Sequence, residues 1–297
     1  MNAARPSTLS VWLQAARPKT LLIGVAPVTI GLGVAWADGS WDLRVAAMTL
    51  ACGLLVQVLA NLINDYYDWK KGADGPERLG PPRVTQMGWV SPGAMRAAIL
   101  ALSLLIAAGG WWLSRRGGAP ILLLTGASLL FAYLYTGGPY PLGYHGIADG
   151  FAFLFFGPVA AGATYYLQTD LFPPHLVVAG SAPGFYSAAL LSVNNLRDRE
   201  GDARSGKRTP AVRFGERFMR FEYTACLVGA LACAVAFALM TRRPACLGAL
   251  AALAVALPAL RLVYTPAAGA RLNAALGMTS LSSTLFAILL TAGYLFT

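Results

Sequence analysis

RVAAMTLACGLLVQVLANLINDYYD, residues 44–68, decides how the rest of the chain is read. The twenty residues from Val45 to Asn64 carry no charge, and about 20 apolar residues is the length of helix that crosses a bilayer core. Yet the run ends in amides and acids. Gln57, Asn61, Asn64/Asp65 and Asp68 recur at helical spacing, so one face of the helix carries all of them. A carboxylate on a membrane helix costs ~3 kcal/mol, and such a group faces a bundle interior or a water-filled cavity.

The remainder of the chain supports a membrane reading. Of 297 residues, 57% are hydrophobic and 12% charged, and the mean hydropathy is +0.57. So few charges cannot cover a water-facing surface of this size. The strand alternation of an outer-membrane barrel is absent from the sequence, which leaves an all-α polytopic membrane protein in a single domain, 1–297. Nine segments are long and apolar enough to span: 20–37, 44–66, 95–114, 119–136, 147–167, 175–196, 221–241, 244–263 and 274–296. Of the 23 Lys and Arg, 18 fall on one side of this arrangement and 5 on the other. The positive-inside rule therefore puts the N-terminus and the long loops in the cytoplasm and the C-terminus outside. The net charge of +10 belongs to those loops and points to topology rather than nucleic acid. The four cysteines stand singly in apolar stretches, and two histidines exclude a His-based metal site of the usual kind. Residues 1–12 lack the apolar core of a signal peptide.

A second polar helix end repeats the first. Asn194, Asp198 and Asp202 share a face at i, i+4 and i+8, and like Asp65 and Asp68 they lead into a long basic loop on the same side. With Asp74 there are five aspartates, which repel one another unless cations intervene. Hard oxygen donors without His or Cys suit magnesium, which takes few carboxylates together with water and phosphate oxygens. Lys70, Arg83, Arg204, Lys207 and Arg208 lie in the same loops, and carboxylates for a metal beside cations for an anion suit a diphosphate–magnesium complex. The apolar bundle suits a long lipid tail. A cation-coupled transporter is the competing class, but its acids belong near the bilayer midplane in broken helices.

At Asn64-Asp65-Tyr66-Tyr67-Asp68-Trp69-Lys70-Lys71-Gly72-Ala73-Asp74 the chain resembles the UbiA superfamily of membrane prenyltransferases. Asp198-Arg-Glu-Gly-Asp202, followed by Gly206 and Thr209, resembles the second acidic motif of that superfamily. The six-residue step from Asp68 to Asp74 resembles the 1,4-dihydroxy-2-naphthoate polyprenyltransferase branch. Arg17-Pro18-Lys19-Thr20-Leu21, Gly80-Pro81-Pro82-Arg83 with Gln86 and Gly88, Pro139-Tyr140-Pro141-Leu142-Gly143-Tyr144 and Asn194-Asn195-Leu196-Arg197-Asp198 resemble it as well. The YPxxKR element of several other branches is missing, which argues against 4-hydroxybenzoate, haem or chlorophyll acceptors.

The resemblance implies a nine-helix bundle in the bacterial cytoplasmic (inner) membrane. It implies transfer of a polyprenyl chain from its diphosphate to 1,4-dihydroxy-2-naphthoate, with release of diphosphate and CO2, in menaquinone synthesis. It also implies two Mg2+ ions, one on Asn64, Asp65 and Asp68 and the other on Asp198 and Asp202 beside Asn194, with Asp74 completing the first shell or orienting a loop base. Lys19, Lys70, Arg83, Lys207 and Arg208 are the candidates for the diphosphate. For the acceptor they are Arg83 or Gln86 on its carboxylate, Asp149 as base, and Tyr140 and Tyr144 among the aromatics near the cation. A different aromatic acceptor stays open.

Overall fold

The structure is a computed structural model that describes residues 6–73, 78–266 and 269–296. Among these residues the secondary structure is helical throughout. The helices are α1 (Thr8–Ala16), α2 (Pro18–Ala37), α3 (Leu43–Lys70), α4 (Pro92–Thr136), α5 (Leu142–His145), α6 (Ala148–Leu154), α7 (Ala160–Thr169), α8 (Pro174–Arg204), α9 (Pro210–Thr241), α10 (Leu253–Tyr264) and α11 (Leu272–Leu295). A π-turn, Phe155–Val159, joins α6 to α7, and the 3-10 turns Pro244–Ala252 and Gly269–Arg271 lead into α10 and α11.

Among the described residues, eight helical stretches are long and apolar enough to cross a membrane, and one of them, α4, has 45 residues. A straight helix of that length would extend ~68 Å at 1.5 Å per residue, over twice the ~30 Å core. It does not run straight. Gly118 takes φ 65° and ψ −158°, a region open essentially to glycine alone, and Pro120 follows it. A Cβ placed on Gly110 would lie 2.2 Å from the Thr125 Oγ1, whereas those residues would be ~22 Å apart along a straight helix. The chain folds back at Gly118, so the described residues make nine crossing segments, in agreement with the nine expected from hydropathy.

Helix α8 lies at the centre, with 72% of its apolar window buried, against 22% for the α4 hairpin on the periphery. Lipid offers helices no hydrophobic gain from association, so close packing carries the contact. Gly157, Gly180 and Gly184 let the π-turn and α8 touch backbone to backbone, and a Cβ on Gly157 would sit 2.7 Å from the Gly184 Cα. Tyr186, Tyr223, Phe237 and Phe286 are fully buried around α8, α9 and α11. The two phenols there are satisfied: Tyr186 pairs with Ser282 at 3.1 Å and Tyr223 with Thr279 at 2.9 Å. At the end of the bundle away from Asp68, the Asp38 carboxylate accepts from Tyr165 at 2.8 Å and Tyr294 at 3.0 Å, tying α2, α7 and α11 together.

The helices overrun the apolar segments at the acidic end. α3 continues to Lys70 and α8 to Arg204, because polar turns beyond the hydrocarbon lower hydropathy without interrupting backbone hydrogen bonding. α9 begins at Pro210 and breaks at Gly215 (φ 78°) before its apolar stretch. The short helix α1, with Val11 and Ala15 buried and Leu9 and Leu13 exposed, is one that hydropathy over 20-residue windows does not reveal.

The hairpin argument is open to test. Gly110→Leu should destabilise the protein by ~1–3 kcal/mol, through collision with Thr125. In thermal unfolding in detergent its Tm should fall by several degrees, while Gly126→Ala, whose Cβ would meet no atom within 4 Å, should leave Tm unchanged.

Candidate active site

The last turns of α3 point four polar side chains in one direction, and the structure divides their work. Asn61, buried, donates to the Ala16 carbonyl at 2.9 Å and holds the corner between α1 and α2. At that corner Arg17 takes φ 55° and ψ 67°, a left-handed conformation that costs a non-glycine residue ~1–2 kcal/mol. Asp65 accepts from the Val84 and Thr85 amides, one on each oxygen, both at 3.0 Å. Its carboxylate thus fastens the 83–85 turn back onto α3 and returns Arg83 to the helix.

Asp68 is the meeting point. It is 1% exposed, and a buried carboxylate demands charged or hydrogen-bonding partners. Arg83 Nη2 lies 2.5 Å from one oxygen; Tyr144 OH at 3.1 Å and Lys207 Nζ at 3.3 Å reach the other. Arg83 also donates to Asn64 Oδ1 at 3.2 Å. Lys207 stands 3.6 Å from Asp202, so a single ammonium bridges the two acidic motifs. The Tyr144 ring lies against two ammonium groups, Lys71 at 4.3 Å and Lys207 at 4.8 Å from its centre. Burial lowers the Lys71 pKa, opposed by Asp68 and reinforced by Lys207.

On α8, Arg197 holds both oxygens of Asp198 through Nε at 2.8 Å and Nη2 at 2.6 Å. Its Nη1 donates to Asn273 Oδ1 at 2.6 Å, and Asn273 Nδ2 donates to the Leu79 carbonyl at 2.9 Å, so α11 and the 78–83 loop are tied to the second motif. Among the described residues, no three Asp, Glu, His or Cys side chains are gathered tightly enough to ligate an ion by themselves.

Two chambers meet here. A polar one of about 760 Å³ is lined by Asn64, Asp68, Arg83, Tyr144, Asn194, Asp198, Asp202 and Lys207, among others. An apolar one of about 580 Å³ extends between α2, α3, the α4 hairpin and the π-turn, with Phe131, Phe155 and Phe156 on its wall. Arg17, Asn64, Arg78, Tyr135, Asn194 and Arg197 line both.

Other expected residues are placed elsewhere. Asp65 lines neither chamber, and neither do the exposed Lys70, Gln86, Tyr140 and Arg208; Tyr140 stacks on His145 at 3.5 Å. Asp149 is buried in the bundle and lines neither chamber, with neither oxygen hydrogen-bonded to a described residue. Asp74 and the side chain of Lys19 lie outside the described residues. Sequence reasoning passed over Arg78, Arg197 and Asn273 as site residues and read Arg17 only as a topology marker and part of a motif. Asn273, an isolated amide at the start of the last helix, offered no signal.

The profile of the UbiA prenyltransferase family matches residues 24–281. The chain belongs to that family. It is 36% identical over 247 residues to the 1,4-dihydroxy-2-naphthoate octaprenyltransferase of Escherichia coli, covering 81% of this chain and 80% of the relative. It is 34% identical over 285 residues to the protein of the same description from Mycobacterium tuberculosis, covering 95% and 96%. A solved UbiA homologue from Archaeoglobus fulgidus, bound to DMAPP and Mg2+, shares the fold at TM-score 0.65 and 17% identity, over 96% of this chain and 99% of that one. Within this UbiA-family bundle, Asp65 has a checkable task. Asp65→Ala removes two charge-assisted hydrogen bonds of ~1.5–3 kcal/mol each. Hydrogen exchange at the Val84 and Thr85 amides should accelerate at least tenfold, while the Asp38 end of the bundle keeps its protection.

Proposed function

We propose that this protein transfers a polyprenyl chain from polyprenyl diphosphate to 1,4-dihydroxy-2-naphthoate, giving demethylmenaquinol for menaquinone synthesis. The observation that carries the reading is the Lys207 bridge between Asp68 and Asp202, inside a polar chamber that shares Asn64, Tyr135 and Asn194 with an apolar one. A diphosphate with an apolar tail has its charge and its chain in two such compartments, joined at the reacting carbon. The two octaprenyltransferase relatives supply the acceptor class.

The donor set fits magnesium: Asn64, Asp68, Asn194, Asp198 and Asp202 present hard oxygens to one chamber, and a cation already lies between two of the carboxylates. Bound there, Mg2+ would neutralise charge on the departing diphosphate. Lys207, Arg83 and Arg204 add positive charge along the same wall, preorganised for oxygens that become more negative as the allylic C–O bond breaks. The broken bond leaves its electron pair on the diphosphate, and the ring's π pair forms the new C–C bond. The apolar chamber excludes water from the allylic cation, and the Tyr135 and Tyr144 rings border the space where it forms. The adjacent ring hydroxyl gives up its proton to the departing diphosphate, and the resulting β-keto acid releases CO2 and returns the C–C electron pair to the ring. Asp65 supports the loop that carries Arg83 rather than touching substrate. The 18-to-5 division of basic residues supports a cytoplasmic setting for this end of the bundle, in a bacterial inner membrane.

The test uses purified protein in lipid with 1,4-dihydroxy-2-naphthoate, a polyprenyl diphosphate and Mg2+, with product followed by mass. Demethylmenaquinone should form, should vanish with chelator, and should fall by at least ~100-fold in kcat/KM for Asp68→Ala and for Asp198→Ala. Product from a different aromatic acceptor alone would move the substrate assignment. Cation flux in liposomes without any prenyl transfer would favour a transporter.

A further inference from the structure

Three guanidinium groups line the junction of the two chambers, on Arg17, Arg78 and Arg197. A Cβ on Gly80 would lie 3.1 Å from the Nη2 atoms of both Arg78 and Arg197, so those two atoms are within about 6 Å of each other. Arg197 is held by Asp198 and Asn273, and Arg78 Nε donates to the Pro81 carbonyl at 2.9 Å. The Arg17 side chain makes no hydrogen bond or ion pair with any described residue, although its corner is fastened by Asn61 and its backbone is left-handed. Burial lowers its pKa, with Arg78 adding to the effect, Asp65 and Asp68 opposing it and Arg197 adding a smaller push. Among the described residues the nearby acids are bonded to other groups: Asp65 to backbone amides, Asp68 to Arg83 and Lys207, and Asp198 to Arg197 itself. A guanidinium without a bonded partner at such a border attracts an anion.

The border selects the kind of anion. The diphosphate has the polar chamber, with Lys207 and Arg83 beside the chamber-facing carboxylates. The trio instead also faces the apolar chamber, whose lining includes Pro81, Leu276 and Gly277. That combination suits a monoanion attached to an aromatic ring, with the ring on the apolar wall and two oxygens for planar guanidinium forks. The residues expected to do this lie away from the border: Arg83, bonded to Asp68 and Asn64, lines the polar chamber but not the apolar one, and Gln86 is exposed and lines neither. We infer that Arg17, together with Arg78 and Arg197, binds the carboxylate of the aromatic acceptor and is what makes the enzyme select an acidic ring. The inference rests on the acceptor class proposed above, and it makes Arg17 a specificity determinant.

The experiment measures equilibrium binding of 2-naphthoate and of naphthalene-2-carboxamide to the full-length protein in lipid nanodiscs. Wild type is compared with Arg17→Gln, Arg78→Gln and Arg17→Lys, and binding of a prenyl thiolodiphosphate with Mg2+ is measured in parallel. Arg17→Gln should weaken 2-naphthoate by ~10- to 100-fold, the usual effect of losing a charge-assisted hydrogen bond. Arg78→Gln should act in the same direction, and Arg17→Lys should recover part of the loss. The carboxamide and the thiolodiphosphate should bind each variant as they bind wild type. Equal losses for 2-naphthoate and carboxamide, or a loss confined to the thiolodiphosphate, would overturn the inference, as would wild type that does not prefer the acid. Arg17-dependent binding of 2-naphthoate, with no product from 1,4-dihydroxy-2-naphthoate, would uphold the carboxylate site and sink the acceptor assignment alone.

Discussion

A carboxylate with 1% of its surface exposed cannot stay charged without partners, and Asp68 draws them from three distant parts of the chain. Arg83 comes from the loop after α3, Tyr144 from α5, and Lys207 from the loop after α8. Each contact closes a long loop, and the last joins residues 139 positions apart. Through Lys207, which also reaches Asp202, this one group links the two acidic motifs. Removing it would leave a buried guanidinium and an ammonium without their shared counter-ion, so the polar chamber depends on it as a structure before it depends on it as chemistry.

The other polar residues of α3 serve the same end from behind. Asn61 holds the corner that carries Arg17, and Asp65 holds the turn that carries Arg83. Both are buried, and both act on backbone atoms, which fixes loop position. The outcome is a graded border: charged groups crowd one side of Tyr135 and Asn194, and phenylalanines and aliphatics predominate on the other. A diphosphate ester with a long apolar tail has the same division built into it.

Much of this was legible beforehand, and for physical reasons. Hydropathy marked nine crossing segments, since the bilayer penalises every charge within ~30 Å of hydrocarbon. Periodicity put Asn61, Asn64, Asp65 and Asp68 on one face, and the structure keeps them there. Periodicity could not tell which member of that face turns to the chamber and which to a loop amide. The same limit hid the position of Asp149, which is near the site in sequence but enclosed between helices, and that of the exposed Tyr140, Gln86, Lys70 and Arg208. Arg17 and Arg197 were visible as charges, yet a charge near a helix end has the same appearance whether it marks topology or binds a ligand.

What the sequence determined by itself was the kind of protein: an apolar chain with two acid-tipped helices beside basic loops, whose composition permits a membrane bundle and whose donor types permit oxygen-ligated metal and anion. Those properties are local, resting on residue type and helical spacing, and survive any arrangement of the helices. The tertiary structure decided which of these groups share a space. The Lys207 bridge, the fastening of the 83–85 turn by Asp65, the tie from Asn273 to Arg197 and the gathering of three guanidinium groups join segments far apart in the chain. Contacts of that kind depend on helix packing, which no spacing along a single helix encodes.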